Sequence, residues 1–165
     1  MAAGNTYVAL ATNTLSSTAA TVTFSSISGA YTDLVLVCNA AVTASTQEWN
    51  VRLNGDTASN YSSTYLTGNG TTATSARETS QTKMFMQFYG YLSTGQSMNL
   101  IQLMNYSNAT TYKTLLSRAG NVDNGLTGGV HLWRNTAAIT TILIYPTAST
   151  FISGSTFQLF GIAAA

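Results

Sequence analysis

From Glu48 to Asn54 (EWNVRLN) polar and apolar side chains alternate, so that Trp49, Val51 and Leu53 fall on one face of an extended chain and Glu48, Asn50, Arg52 and Asn54 on the other. A period of two marks a strand with one buried face. Comparable short segments recur at 21–26, 31–39, 83–92, 98–106, 112–119, 128–135, 138–145 and 155–162. The gaps between them are rich in Gly, Asn, Asp and Ser, and Asp123-Asn124-Gly125 suits a tight turn. No stretch sustains a 3.6-residue period; TATSARETSQT (72–82) predicts one helical turn at most. With a single proline, Pro146, eight or nine such strands predict an all-β fold, a two-sheet antiparallel sandwich that is jelly-roll-like, with an up-and-down barrel as competitor.

Some strands are apolar on both faces. On KMFMQFYGYL (83–92), Met84, Met86, Phe88 and Leu92 share one side and Phe85, Tyr89 and Tyr91 the other; on AITTILIY (138–145), Ile139, Leu143 and Tyr145 oppose Ile142 and Ile144. Such strands need cover twice, from the domain's own second sheet and from a loop or a neighbouring subunit. Residues 1–20 read as an N-terminal arm or a first edge strand, ahead of a single β-sandwich domain over 21–165. Tyr7, Val8, Leu10 and Leu15 give this segment enough apolar surface to dock but too little to fold alone.

Charge is scarce: 7% of residues are charged, and Ser and Thr outnumber them about fourfold. The long polar stretch LNGDTASNYSSTYLTGNG (53–70) has one charged side chain, Asp56, and reads as a strand end followed by a structured loop. A net charge of +1 from scattered cations gives no field for capturing nucleic acid or an anionic membrane. No charge precedes Asp33 or follows Arg134, so both ends read as paired in a sheet or pressed against another chain. No apolar run approaches the roughly 20 residues needed to span a bilayer, and no secretory signal opens the chain.

Candidate chemistry is sparse. The lone histidine, His131, has no nucleophile and acid in a recognisable pattern beside it, and reads as structural. One Cys (Cys38) and one His exclude a zinc set of nitrogen and sulfur ligands, and the five carboxylates show no paired spacing for glycoside hydrolysis. Asp56, Asn60 and Asp123 match no calcium loop and read as turn formers; the Gly pairs at 68–70 and 128–129 lack the context of a phosphate loop and also read as turns. Neither catalytic, cofactor-binding nor metal-binding residues are expected. Trp49 reads as core, whereas Trp133 and the tyrosines at 61, 65, 89 and 91 are candidates for a binding face, with subunit contact favoured over sugar stacking.

The ordered series YTDLVLV (31–37), RLNGDTASNYSSTYLTGNG (52–70), NYSNATTYKT (105–114), WRNTAAITTILIY (133–145) and FISGSTFQLFGI (151–162) resembles small virion structural proteins of tailed bacteriophages, especially phages of cyanobacteria and other aquatic bacteria. The resemblance implies a jelly-roll-like domain used either as a capsid decoration (cement) protein or as a module of tail fibres and receptor-binding proteins that contact host glycans. A one-domain chain without coiled coil or shaft repeat favours the decoration role, at the capsid surface and bound to the major capsid protein. Homotrimers are expected by analogy with decoration proteins on three-fold positions. The residues expected at a subunit or shell interface are Tyr7, Val8, Leu10, Leu15, Phe85, Tyr89, Tyr91 and Trp133.

Overall fold

A computed structural model describes residues 6–44, 47–85, 92–121 and 123–163. The described chain forms twelve strands: β1 (Tyr7–Thr14), β2 (Val22–Phe24), β3 (Asp33–Ala40), β4 (Trp49–Leu53), β5 (Tyr61–Gly68), β6 (Ala73–Gln81), β7 (Met84–Phe85), β8 (Ser97–Leu103), β9 (Lys113–Asn121), β10 (Gly125–Trp133), β11 (Ile142–Pro146) and β12 (Thr156–Ile162). They build an antiparallel two-sheet sandwich, with order β1-β12-β3-β8-β9-β10-β5-β6 in the large sheet and β2-β11-β4-β7 in the small one. Without β5, β6, β9 and β10, the remaining eight strands follow the two interlocked Greek keys of a jelly roll, 1-8-3-6 facing 2-7-4-5 in their own order. The four others are two hairpins, inserted after β4 and after β8. They pair with one another and with β8, so the large sheet runs on as a four-stranded wing beyond the jelly-roll half.

The core lies between the sheets. From the large sheet come Leu34, Leu36 and Cys38 of β3, Ile101 and Leu103 of β8, and Phe157 and Leu159 of β12. From the small sheet come Val22 and Phe24, Trp49, Val51 and Leu53, Met84, and Ile142 and Ile144. Trp49, Phe151 and Phe157 meet at its centre, with the two phenylalanine rings 4.9 Å apart edge to face. Burial pushes the Cys38 thiol far above its usual range, which leaves it an inert packing group.

Strand β1 pairs with β12 from Tyr7 to Thr14, so the N-terminal segment takes the edge-strand form of the two readings open for it, in the domain's own large sheet. Other elements depart from the sequence expectations. Residues 61–68 are a central strand of the wing rather than a loop, and 73–81 are its edge strand rather than a helical turn. The helical expectation failed because β6 is wet on both faces and shows no alternation, so only its pairing with β5 reveals it. The β5–β6 hairpin is fixed by Asn69, whose Oδ1 accepts the Thr71 and Thr72 amides at 3.0 and 2.7 Å. Gly128 and Gly129 lie inside β10, not in a turn. Of the strand expected over 83–92, Met84–Phe85 is β7, and Tyr89 and Tyr91 fall outside the described residues.

Trp133 is also corrected: it is fully buried and stacked on Tyr61 with ring centroids 6.4 Å apart, so it offers nothing to a partner surface. Its Nε1 donates to Asp56 Oδ2 at 2.7 Å, which pins the loop after β4 over the end of β10. Trp49 is as deeply buried, yet its Nε1 has no acceptor among the described residues. Replacing each by phenylalanine removes similar ring volume, but only at 133 is a hydrogen bond to a charged group lost. Trp133→Phe is therefore expected to destabilise by about 1.5–3 kcal/mol more than Trp49→Phe, read from urea unfolding midpoints at pH 7. Equal losses would show that the Asp56 bond contributes nothing.

Candidate functional site

The wing presents two faces of opposite character. Its inner face carries polar side chains that are nonetheless buried: Ser63 of β5, Ser117 of β9, and Thr127 and His131 of β10. His131 bridges the two serines, with Nδ1 2.8 Å from Ser63 Oγ and Nε2 2.8 Å from Ser117 Oγ. A neutral imidazole supplies one donor and one acceptor, so the ring closes both bonds without a charge. Burial lowers its pKa to about 4. The imidazole and both hydroxyls are sealed from solvent, and they act as a brace across three strands. Gly129 makes room for it, since a Cβ there would lie 2.9 Å from His131 Nε2.

At the end of the wing Asp56 Oδ2 also accepts from Asn60 Nδ2 at 2.9 Å, and Oδ1 takes the Ala58 amide at 2.8 Å. Desolvation would raise this carboxyl, but the bonds from Asn60, Trp133, Ala58 and Asn135 outweigh it and hold its pKa below the ordinary value. Lys113, buried beside Trp133 on β9, donates from Nζ to the Thr111 and Thr136 carbonyls at 2.7 and 2.9 Å. These groups are consumed in tying loops together. Among the described residues no set of three His, Cys, Asp or Glu is placed to hold a metal ion, and no helix is long and apolar enough to cross a membrane.

The outer face of the large sheet is open. Register places Leu66, Gly128, Arg118 and Leu100 side by side across β5, β10, β9 and β8. Thr64, Val130, Leu116 and Gln102 form the next row, and Gly68, Leu126, Gly120 and Met98 the row on the other side. Seven large hydrophobic side chains are exposed among the described residues, and five of them stand here: Leu66, Met98, Leu116, Leu126 and Val130. Two adjoining depressions of about 510 and 670 Å³ occupy this face and share Gly128 and Arg118 in their linings. A Cβ added to Gly128 would meet nothing within 4 Å, so no neighbour in the chain explains its missing side chain. Glycine in the middle of a strand costs roughly 0.5–1 kcal/mol relative to alanine and often marks the close approach of another molecule.

Of the residues expected at an interface, those the structure describes do not gather on this surface. Tyr7 is exposed on β1, its ring set edge-on to Phe160 at 6.3 Å. Val8 is half-buried, while Leu10 and Leu15 turn in against the core, which removes them as docking groups. Phe85 lies on the small sheet's outer side under the Lys83 ammonium, 4.7 Å from the ring centroid. Trp133 is interior, as described above. What sequence reasoning missed was the wing face, whose one available sign was the pair Gly128-Gly129 set between apolar alternating residues.

No protein-family model matches the chain, and no curated protein matches it.

The His131 brace makes stability depend on pH. The buried ring takes up a proton only near pH 4, whereas the unfolded chain does so near 6.5, so between these values the unfolded state holds more protons. Stability is full above about pH 6.5 and falls as the pH drops toward 4, by a total of about 3 kcal/mol. Asp56, whose folded pKa is depressed, adds a further loss at lower pH still. Urea midpoints measured from pH 7 to pH 4 should show the decline, and His131→Gln should flatten it above pH 4. An unchanged slope in that variant would assign the effect elsewhere.

Proposed function

We propose that the protein is a non-enzymatic structural subunit of a phage virion, acting as a capsid decoration protein that binds the major capsid shell and stabilises the head, with its copies closed into homotrimers. The observation that carries the assembly part of this reading is the uncovered apolar outer face of the large sheet; the shell contact rests on the sequence resemblance. A contiguous apolar surface of this extent is characteristic of proteins that work by contact with other proteins. The buried polar groups support it from the other side, because His131, Asp56 and Lys113 are each engaged in holding the fold rather than gathered at an open cleft. The virion assignment itself comes from the sequence resemblance.

The alternative, a tail module that stacks on host glycans, would need flat exposed aromatic rings beside polar groups. Among the described residues the exposed aromatic side chains are Tyr7 and Tyr112, and neither lines the depressions on the wing. That distribution favours the decoration reading.

Heads assembled from the virus's own capsid protein but lacking this chain provide the test. Added protein is expected to bind them at a fixed stoichiometry and to raise the temperature at which they lose their contents. With so few charges to release counterions, retention should be similar in dilute buffer and in molar salt. Absence of binding overturns the decoration role, and ready elution by salt overturns the apolar mode of contact.

A further inference from the structure

The wing face carries opposite charges at adjoining places. Arg118 stands in its middle, and Asp123, in the turn between β9 and β10, borders the same depression. Neither side chain makes a hydrogen bond or ion pair among the described residues. A guanidinium in an apolar surface is costly to cover unless the covering partner brings a counter-charge to it. The face likewise offers both projections and a hollow: Leu126 and Leu66 stand out beside the glycine-floored space at Gly128.

We infer that this face is the contact between copies of the chain, with Arg118 of one copy paired to Asp123 of the next and Leu126 of each copy seated in the hollow over its neighbour's Gly128. A surface that carries both halves of a charge pair and both halves of a steric fit is complementary to itself, and a partner of other chemistry would have to supply each of these separately. The five exposed hydrophobic side chains present roughly 500 Å², near the top of what monomers leave bare. With the half-buried Leu100 and Gln102 and the exposed Arg118 between them, the face approaches roughly 800 Å², which a ring divides between two neighbours, so that each contact is of the small class. Repeated head to tail round an axis, the contact closes a ring, with each copy giving Arg118 to one neighbour and Asp123 to the other.

The inference rests on the reading of a protein that assembles through its surfaces, and it is tested separately from capsid binding. Light scattering of the purified chain is expected to give three times 17.4 kDa. Leu126→Asp should yield monomers that still show the β circular dichroism and cooperative melt of the parent, because Leu126 is 65% exposed within one chain. Gly128→Leu should weaken assembly at least tenfold without lowering the melting temperature of the monomer, since a Cβ there meets nothing within 4 Å and the position faces outward. Arg118→Asp and Asp123→Arg should each weaken assembly, and the two together should restore much of it. A parent that stays monomeric at high concentration overturns the inference, whatever its binding to heads. A trimer indifferent to Leu126→Asp and Gly128→Leu also overturns it and leaves the decoration reading standing. A double exchange that restores nothing removes the Arg118–Asp123 pairing on which the inference depends.

Discussion

The two sheets of this sandwich differ in width, eight strands against four, and most of the molecule's properties follow from how the excess is covered. Backbone hydrogen bonding carries the large sheet past the jelly-roll half through β9, β10, β5 and β6 without interruption, because each added strand satisfies the open edge of the last. Side chains do not gain from that continuity. On the wing's inner side Tyr61, Leu115 and Trp133 still join the core, with a paired polar layer of Ser63, His131 and Ser117 beside them; on the outer side the described chain supplies nothing.

The polar layer shows how buried hydrogen-bonding groups can specify geometry without a charge. Ser63, His131 and Ser117 sit on three neighbouring strands, and the neutral ring is complete only if all three are in register. A slip of one residue would turn His131 outward and put Val130 or Leu132 in its place, leaving both serine hydroxyls without the ring. Asp56 plays the corresponding part at the wing's end, where one carboxylate collects the indole of Trp133, the amide of Asn60 and a backbone N–H. An ionised acceptor strengthens each of these bonds, and they in turn keep it ionised. Acid sensitivity is thus built into the wing, through His131 and Asp56.

How much of this was legible in the sequence depended on whether burial differed between the two faces of a strand. In β4 it does, and EWNVRLN announces both the strand and the inward side of Trp49. In β6 both faces are wet, so nothing periodic remained to read, and propensity alone suggested a turn of helix. In β10 the apolar residues on the outer face mimic a second buried side, which made Gly128-Gly129 look like a turn and Trp133 look like a surface group. Trp133 could not be placed because its partner, Asp56, is 77 residues away in the chain and inside a stretch whose polarity suggested solvent. Alternation reveals a contrast between faces, but not which molecule supplies the cover.

Scarcity of charge ties these features together. With 11 charged side chains in 165 residues, the surface presents few desolvation penalties, so apolar contact alone would be permissive about partner and register. Specificity then has to come from the few charges that lie within such a contact and from the shape of its hollows. Arg118, set in the middle row of the wing face between Gly128 and Leu100, is placed to do this. A neighbour that brings no acceptor to it leaves a buried cation unpaired, at a cost of several kcal/mol, whereas one that does loses little by the same burial. A single guanidinium on an otherwise neutral face therefore discriminates between partners far more sharply than it would on a surface crowded with charge, where a substitute acceptor is always near.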